Sequence, residues 1–265
     1  MRELCLGGLL VFVAGCVPNG PASSNDGGAS AAASAAQRPK DPAASVVARR
    51  IGSASPSSPS SPISPSAPSP PLGSGFEDDF ERPVPGADWI LTGGDWRING
   101  GRLCAKGARN HGAWLNRTLP TNARIEFDAM SDSPDGDIKA EIFGDGTSAA
   151  AGVSYNDATS YLTIFGGWKN QFHVLARLNE HASDRPEIRI APGSDDERAR
   201  PVSAGQVYHF KIERSDGKTL IWWVGDMQMF KFVDPQPLSG SGHDHLGFNN
   251  WEVPVCFDNV KVVAL

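Results

Sequence analysis

The chain has 265 residues, 40% of them hydrophobic, and a formal net charge of −6. Val17–Gly75 carries two more basic than acidic residues and Arg2 cancels Glu3, so Phe76–Leu265 holds about −8, which argues against nucleic acid because phosphate binding needs a basic face. A neutral polymer such as a polysaccharide, or a cation, suits that charge.

Leu4–Ala14 is apolar behind a single Arg2, too short to span a bilayer and of the length of a signal-peptide core. It ends in Val13-Ala14-Gly15-Cys16, which resembles a bacterial lipobox. That resemblance implies a cleaved signal over residues 1–15 and a diacylglycerol-modified Cys16. Several acyl chains on one residue hold a protein at a membrane where one chain does not. An ordinary secretory signal with an incidental cysteine is the alternative. Val17, in place of an aspartate, resembles outer-membrane sorting. The expected address is the bacterial cell envelope, lipid-anchored at the outer membrane.

Residues 16–75 hold Ala, Ser, Pro and Gly with almost no large apolar side chains. Such a segment cannot bury enough surface to offset its ordering entropy and is predicted as a disordered tether, stiffened over Ser55–Pro71 by proline.

The texture changes at Phe76. Strands are predicted at Phe76–Phe80, Trp89–Leu91, Gly94–Ile98, Arg102–Ala105, Ala113–Leu119, Arg124–Met130, Ile138–Phe143, Ala151–Tyr155, Tyr161–Phe165, Gln171–Leu178 and Glu187–Ile190. Tyr208, Phe210 and Ile212 alternate with polar residues, and Asp216-Gly217 separates that run from Thr219–Val224 as a hairpin turn. Val255–Val263 supplies a last strand. Asn99-Gly100-Gly101, Asp135-Gly136 and Gly166-Gly167 read as further turns, Pro192–Arg200 as a polar loop, and no helix of ten residues is expected. The prediction is one all-β domain over 76–265, a two-sheet antiparallel sandwich.

The order of these signals resembles the concanavalin A-like lectin/glucanase superfamily, in its laminin-G-like and keto-disaccharide-hydrolase-like branches. The carriers are Phe76-x-Asp78-Asp79-Phe80, Gly94-Asp95-Trp96-x-Ile98 with Gly101-x-Leu103, Arg124–Asp128, Tyr208–Arg214, and Phe257-Asp258-Asn259-Val260-x-Val262. The resemblance implies a jelly roll whose first and last strands lie side by side, with a concave sheet face that often binds sugar. It also brings Cys104 and Cys256 near each other, as a disulfide or as two buried thiols. It further implies a structural calcium held by Glu77, Asp79 and Asp258, against which stands their use as capping and surface acids.

Family 16 glycoside hydrolases of that superfamily carry Glu-x-Asp-x-(x)-Glu on one strand. Here Glu126 and Asp128 share a face, but Met130 or Ser131 replaces the second glutamate, so the catalytic pair is incomplete. Glu141 on the next strand is the remaining carboxylate for an enzyme reading. Otherwise Glu126 and Asp128 are solvated residues opposite a core face of Ile125, Phe127 and Ala129. His243-Asp244-His245 lacks a third ligand at a recognisable spacing and reads as loop. Of seven tryptophans, Trp96 and Trp222 fall in strand alternations. Trp168 at a hairpin tip and Trp251 after Asn249-Asn250 read as exposed rings with neighbouring amides, suited to stack on and hydrogen-bond a sugar, with core packing as the alternative. The sequence thus favours a non-catalytic, lectin-like module for a polysaccharide or glycan, ahead of a glycan-cleaving enzyme or a protein-interaction module.

Overall fold

The computed structural model describes residues 68–265. The signal run, Cys16 and the tether up to residue 67 lie outside the described residues. Ordered contacts begin ahead of Phe76: Pro71 bridges Thr118, the Leu72 N–H donates to Thr118 O at 3.0 Å, and Leu72 is buried.

In chain order the strands are β1 Phe76–Asp78, β2 Trp89–Leu91, β3 Arg97–Ile98, β4 Leu103–Lys106 and β5 Ala113–Leu115. The long central pair follows, β6 Ala123–Ser131 and β7 Ile138–Gly144, then β8 Tyr161–Gly166, β9 Phe172–Arg177 and β10 Glu187–Arg189. The C-terminal third supplies β11 Val207–Arg214, β12 Thr219–Val224, β13 Met227–Val233, β14 His245–Asn249 and β15 Pro254–Ala264. They form two antiparallel sheets, one in the order β13-β12-β11-β6-β15-β4-β3 with β1 added against β15, the other β10-β9-β8-β7-β14-β5-β2. The first and last strands pair, Phe76 opposite Val262, as the superfamily resemblance implies.

Alternation decides which residues enter the core. Along β6, Ile125, Phe127 and Ala129 point inward while Arg124, Glu126 and Asp128 stay partly exposed, the period-2 signature of a half-buried strand. Phe127 stacks on its register partner Phe210 within the eight-stranded sheet (4.9 Å between centroids), and Phe248 stacks on Phe257 across the two sheets (4.2 Å). Phe210 also stacks on Trp222, and Trp96 packs on Phe257, so both strand tryptophans serve the core. Cys104 and Cys256 are direct register partners on β4 and β15 with Cα atoms 4.1 Å apart, and they form a disulfide. Asp216-Gly217 turns β11 into β12, and Asn99–Gly101 turns β3 into β4.

Two expected elements differ. Ala151–Tyr155 is not a strand but part of the loop between β7 and β8, whose Tyr155 is buried on the outer face of the seven-stranded sheet. Only Tyr155 docks onto the sheet, while Ala151 to Ser154 are exposed and pair with no strand. Asp135-Gly136 does not close a hairpin, because β6 and β7 belong to different sheets. It is a crossover, and Gly136 sits so close to the β8 tip that a Cβ there would lie 2.5 Å from Gly166 O. Its φ of 70° adds a second reason for glycine.

Candidate functional site

Strand β7 is buried on both faces. Ile138, Ala140 and Ile142 join the inter-sheet core, so Lys139 and Glu141 point to the outer face of the seven-stranded sheet. The loop after β7 folds over that face and builds a second apolar cluster from Tyr155, Ala158, Leu162, Ile164, Val174 and Ala176. Beside this cover a cleft of about 450 Å³ stays open. Trp168 and Trp251 both line it, and Asp137, Lys139 and Glu180 supply its buried polar groups.

Each wall is fixed by its backbone. Trp168, Lys169 and Asn170 follow one another with φ of 51°, 59° and 61°, a left-handed turn at three non-glycine residues. Each costs roughly 1–2 kcal/mol against the right-handed form. Asn170 holds the turn: its Nδ2 donates to Pro134 O and Val202 O, both at 2.8 Å, and its Oδ1 accepts from Val202 N at 2.9 Å. Strain kept in place by such a clamp concentrates at functional sites. The Arg185 guanidinium lies 4.5 Å from the Trp168 ring centre. On the other wall the Trp251 N–H donates to Asp137 Oδ2 at 2.7 Å, and Arg109 lies 5.1 Å from the Trp251 ring while pairing with Glu252 at 3.0 Å.

Lys139 Nζ donates to Glu180 Oε2 at 2.7 Å and to Asn110 Oδ1 at 2.8 Å. Burial alone would depress its pKa, but the carboxylates of Glu180 and Asp137 outweigh it and hold Lys139 above the usual lysine range. Burial pushes the Asp137 carboxyl up, with Lys139 and the Trp251 N–H opposing. Deeper under the loop, Glu141 accepts from Tyr155 Oη, from Ser160 Oγ at 2.7 Å and from Asn249 Nδ2 at 2.7 Å. Burial pushes its carboxyl up to about 7 against those hydrogen bonds.

A folded-state pKa above the unfolded value means that the native state holds its proton more tightly. Glu141 therefore contributes full stability below pH ~4.5, and that contribution is lost as pH rises toward 7, by about 3 kcal/mol from linkage. Glu141→Gln is expected to remove this slope, read from urea unfolding at pH 5 and pH 7.5; a slope unchanged in the variant would assign the effect to another group.

Asn249 and Asn250, read from the sequence as ligand-facing amides, are fully buried. Asn249 holds Glu141, while Asn250 accepts from Ala108 N at 3.0 Å and donates to Val253 O, so both shape the wall that carries Trp251. Glu126 and Asp128 lie on the outer face of the eight-stranded sheet, where His209 Nδ1 sits 2.8 Å from Asp128 and Asn259 Nδ2 donates to Asp128 at 2.9 Å. Glu141 lies on the outer face of the other sheet, so Glu126, Asp128 and Glu141 are not brought together. Glu77, Asp79 and Asp258 do not converge either. Glu77 pairs with Lys261 at 2.7 Å, Asp79 accepts from Glu81 N, and Asp258 lies near Arg102. Among the described residues no three His, Cys, Asp or Glu side chains gather, and His243 and His245 acquire no third ligand of these types.

No protein-family model matches the sequence, and no curated protein matches it. Among solved structures, the Emp47p carbohydrate recognition domain is similar over 72% of this chain and 95% of its own, at 12% identity and a TM-score of 0.51. The carbohydrate binding module CBM66 from Bacillus subtilis is similar over 67% of this chain and 96% of its own, at 15% identity and a TM-score of 0.48. The laminarinase from Rhodothermus marinus is similar over 71% and 96%, at 12% identity and 0.45. At such identities the likeness concerns the fold alone, an antiparallel sandwich of two sheets as expected from the sequence.

Proposed function

We propose that this chain is a glycan-binding module that holds its ligand in the Trp168–Trp251 cleft without cleaving it. One observation carries the reading: two half-buried indoles from distant segments line one cleft together with buried polar groups. Indole faces stack on pyranose rings, and a few placed polar groups then set orientation. The sandwich is compatible with this role, since the Emp47p domain is by name a carbohydrate recognition domain. Against turnover speaks the missing second glutamate after Asp128, together with the placement of Glu126 and Asp128 on the layer away from the cleft.

The test is co-sedimentation of the protein with a panel of insoluble and immobilised polysaccharides, with the supernatant assayed for released sugar. Trp168→Ala and Trp251→Ala are each expected to weaken binding roughly 10-fold or more through the lost ring contact. Binding unchanged in both variants would remove the cleft from the reading. Release of soluble sugar would overturn the non-catalytic part and direct attention to Asp137 and Glu180, the buried carboxyls among those lining the cleft.

The address belongs to the same proposal: a lipid anchor on Cys16 displays the module from the bacterial envelope at the outer membrane, on the tether that runs from residue 16 to the docked Pro71 and Leu72. The Leu4–Cys16 run supports it. Cys16→Ser is expected to move the protein from the detergent-soluble membrane fraction to the aqueous one; retention in the membrane would exclude the anchor.

A further inference from the structure

We infer that Arg185 is a positioning residue of the cleft: its guanidinium sets the plane of the Trp168 ring on which a sugar stacks. This rests on the glycan-binding reading above and adds a residue that acts on the ligand only through Trp168.

The Asn170 clamp fixes the turn that carries Trp168, but it acts on backbone groups and does not touch the indole. Three side chains flank the ring itself. Arg185 lies over it at 4.5 Å from the ring centre, while Phe172 and His181 stand nearly perpendicular to it at 6.2 and 5.7 Å. Of the three, only His181 also lines the cleft. Arg185 therefore holds the ring from outside the cleft and takes no space from a ligand.

A residue that fixes another must itself be fixed. Pro186 follows Arg185, and the residue before a proline is confined to extended backbone. Pro186 O accepts from Leu175 N at 3.0 Å, which docks that backbone on β9. The Arg185 side chain, 14% exposed, donates from Nη1 to Glu180 O and from Nη2 to Glu187 Oε2 at 3.1 Å. Two bonds thus hold the guanidinium plane at both tips. Its Nε is buried without an acceptor, and the electron-rich face of Trp168 offsets that cost.

Arg109 has the same relation to the other indole without the same support. It lies 5.1 Å from the Trp251 ring and also stays outside the cleft, but its side chain is 59% exposed and its one carboxylate partner, Glu252, is exposed too. An exposed pair contributes little to holding a side chain still. Trp251 is tied down through its backbone N–H on Asp137 instead. A ring fixed on folding does not lose its rotamer freedom again on binding, so the positioning of Trp168 appears as affinity.

The experiment is a double-mutant cycle on the full chain: Arg185→Ala, Trp168→Ala and the two combined, with Arg185→Gln and Arg109→Ala beside them. Arg185→Gln keeps a donor for Glu180 O and replaces the alanine variant if that one does not fold, which melting curves decide. Binding is read as retention on insoluble cellulose, chitin and β-1,3-glucan. The same cycle is read without ligand by near-ultraviolet circular dichroism, which reports aromatic rings held in fixed packing. Arg185→Ala is expected to weaken retention roughly 3- to 10-fold and to lower the near-ultraviolet signal. In the Trp168→Ala background it is expected to change neither, because the ring through which it acts is gone. Arg109→Ala is expected to change retention by less than about 2-fold. A loss that adds to that of Trp168→Ala overturns the inference and makes Arg185 a ligand contact or a general support of the fold. A near-ultraviolet signal unchanged by Arg185→Ala overturns it as well, and so does an equal loss in Arg109→Ala, which assigns the effect to charge. Each of these leaves the glycan-binding reading in place. Retention of the parent chain on none of the three polymers overturns that reading for these backbones, and the inference with it.

Discussion

Lys139→Ala is expected to destabilise the domain by about 3–5 kcal/mol, the penalty for leaving a buried charge without its counter-ion. The Lys139 ammonium is 2% exposed and lies 2.7 Å from a Glu180 carboxylate that is itself 10% exposed. Removing it strands Glu180 and takes a countercharge from Asp137, while Asn110 loses the donor to its Oδ1. The larger part of the effect is electrostatic, so Lys139→Met, which keeps most of the packing, should fall nearly as far. Glu252→Gln supplies the contrast: the Arg109–Glu252 pair is exposed on the cleft rim, and exposed pairs contribute about 1 kcal/mol or less. Urea unfolding of the three variants measures all of this. A loss below ~1 kcal/mol for Lys139→Ala would mean that water reaches the pair.

Opening the Cys104–Cys256 bridge is the second large perturbation. The bridge closes a loop with a sequence separation of 152 residues. In the chain-entropy model a loop of that size restrains the unfolded state by about 5 kcal/mol. For a domain of this size that corresponds to a melting temperature lower by roughly 10–20 °C. Melting with and without reductant, and of the Cys104→Ser/Cys256→Ser double variant, should show the same drop. An unchanged melting temperature once both thiols are alkylatable would show that native contacts alone set the stability. The bridge also ties β4 to the last strand, so its loss should raise hydrogen exchange along β3, β4 and β15 before the rest of the sheet.

The layers were legible because alternation is a local signal. Ile125-x-Phe127-x-Ala129 and Tyr208-x-Phe210-x-Ile212 declare one wet face and one dry face without reference to the rest of the chain. Glycine-containing turns such as Asp216-Gly217 set their ladders for the same reason. Trp168 and Trp251 read as exposed rings from their turn-rich surroundings but are half-buried, Trp168 against the second apolar cluster, and nothing in their spacing said that they line one cleft. The burial of the charged groups on β7 was not legible at all. Lys139 and Glu141 alternate with apolar residues as any solvent-facing pair would, and only the loop that carries Tyr155 turns that face into an interior. Asp135-Gly136 has the composition of a hairpin and in fact crosses between sheets, which is how Asp137 reaches the cleft. Asn249-Asn250 looked like a ligand-facing pair because amides are common at such sites. Here they solve a local problem, satisfying Glu141 and the backbone of the wall.

The cleft is walled mainly by connections. Asp135 and Asp137 come from the crossover after β6, Trp168 and Lys169 from the β8–β9 tip, and Trp251, Glu252 and Val253 from the link between β14 and β15. Most of these positions contribute nothing to the ladders that join the strands. A lineage can therefore rewrite what the cleft recognises, one connection at a time, while the sandwich beneath inherits its pairing unchanged. The converse also holds: Asn170, Gly136 and Gly166 lock two of those connections to each other, so the crossover and the tip should be inherited together, as a single exchangeable cassette.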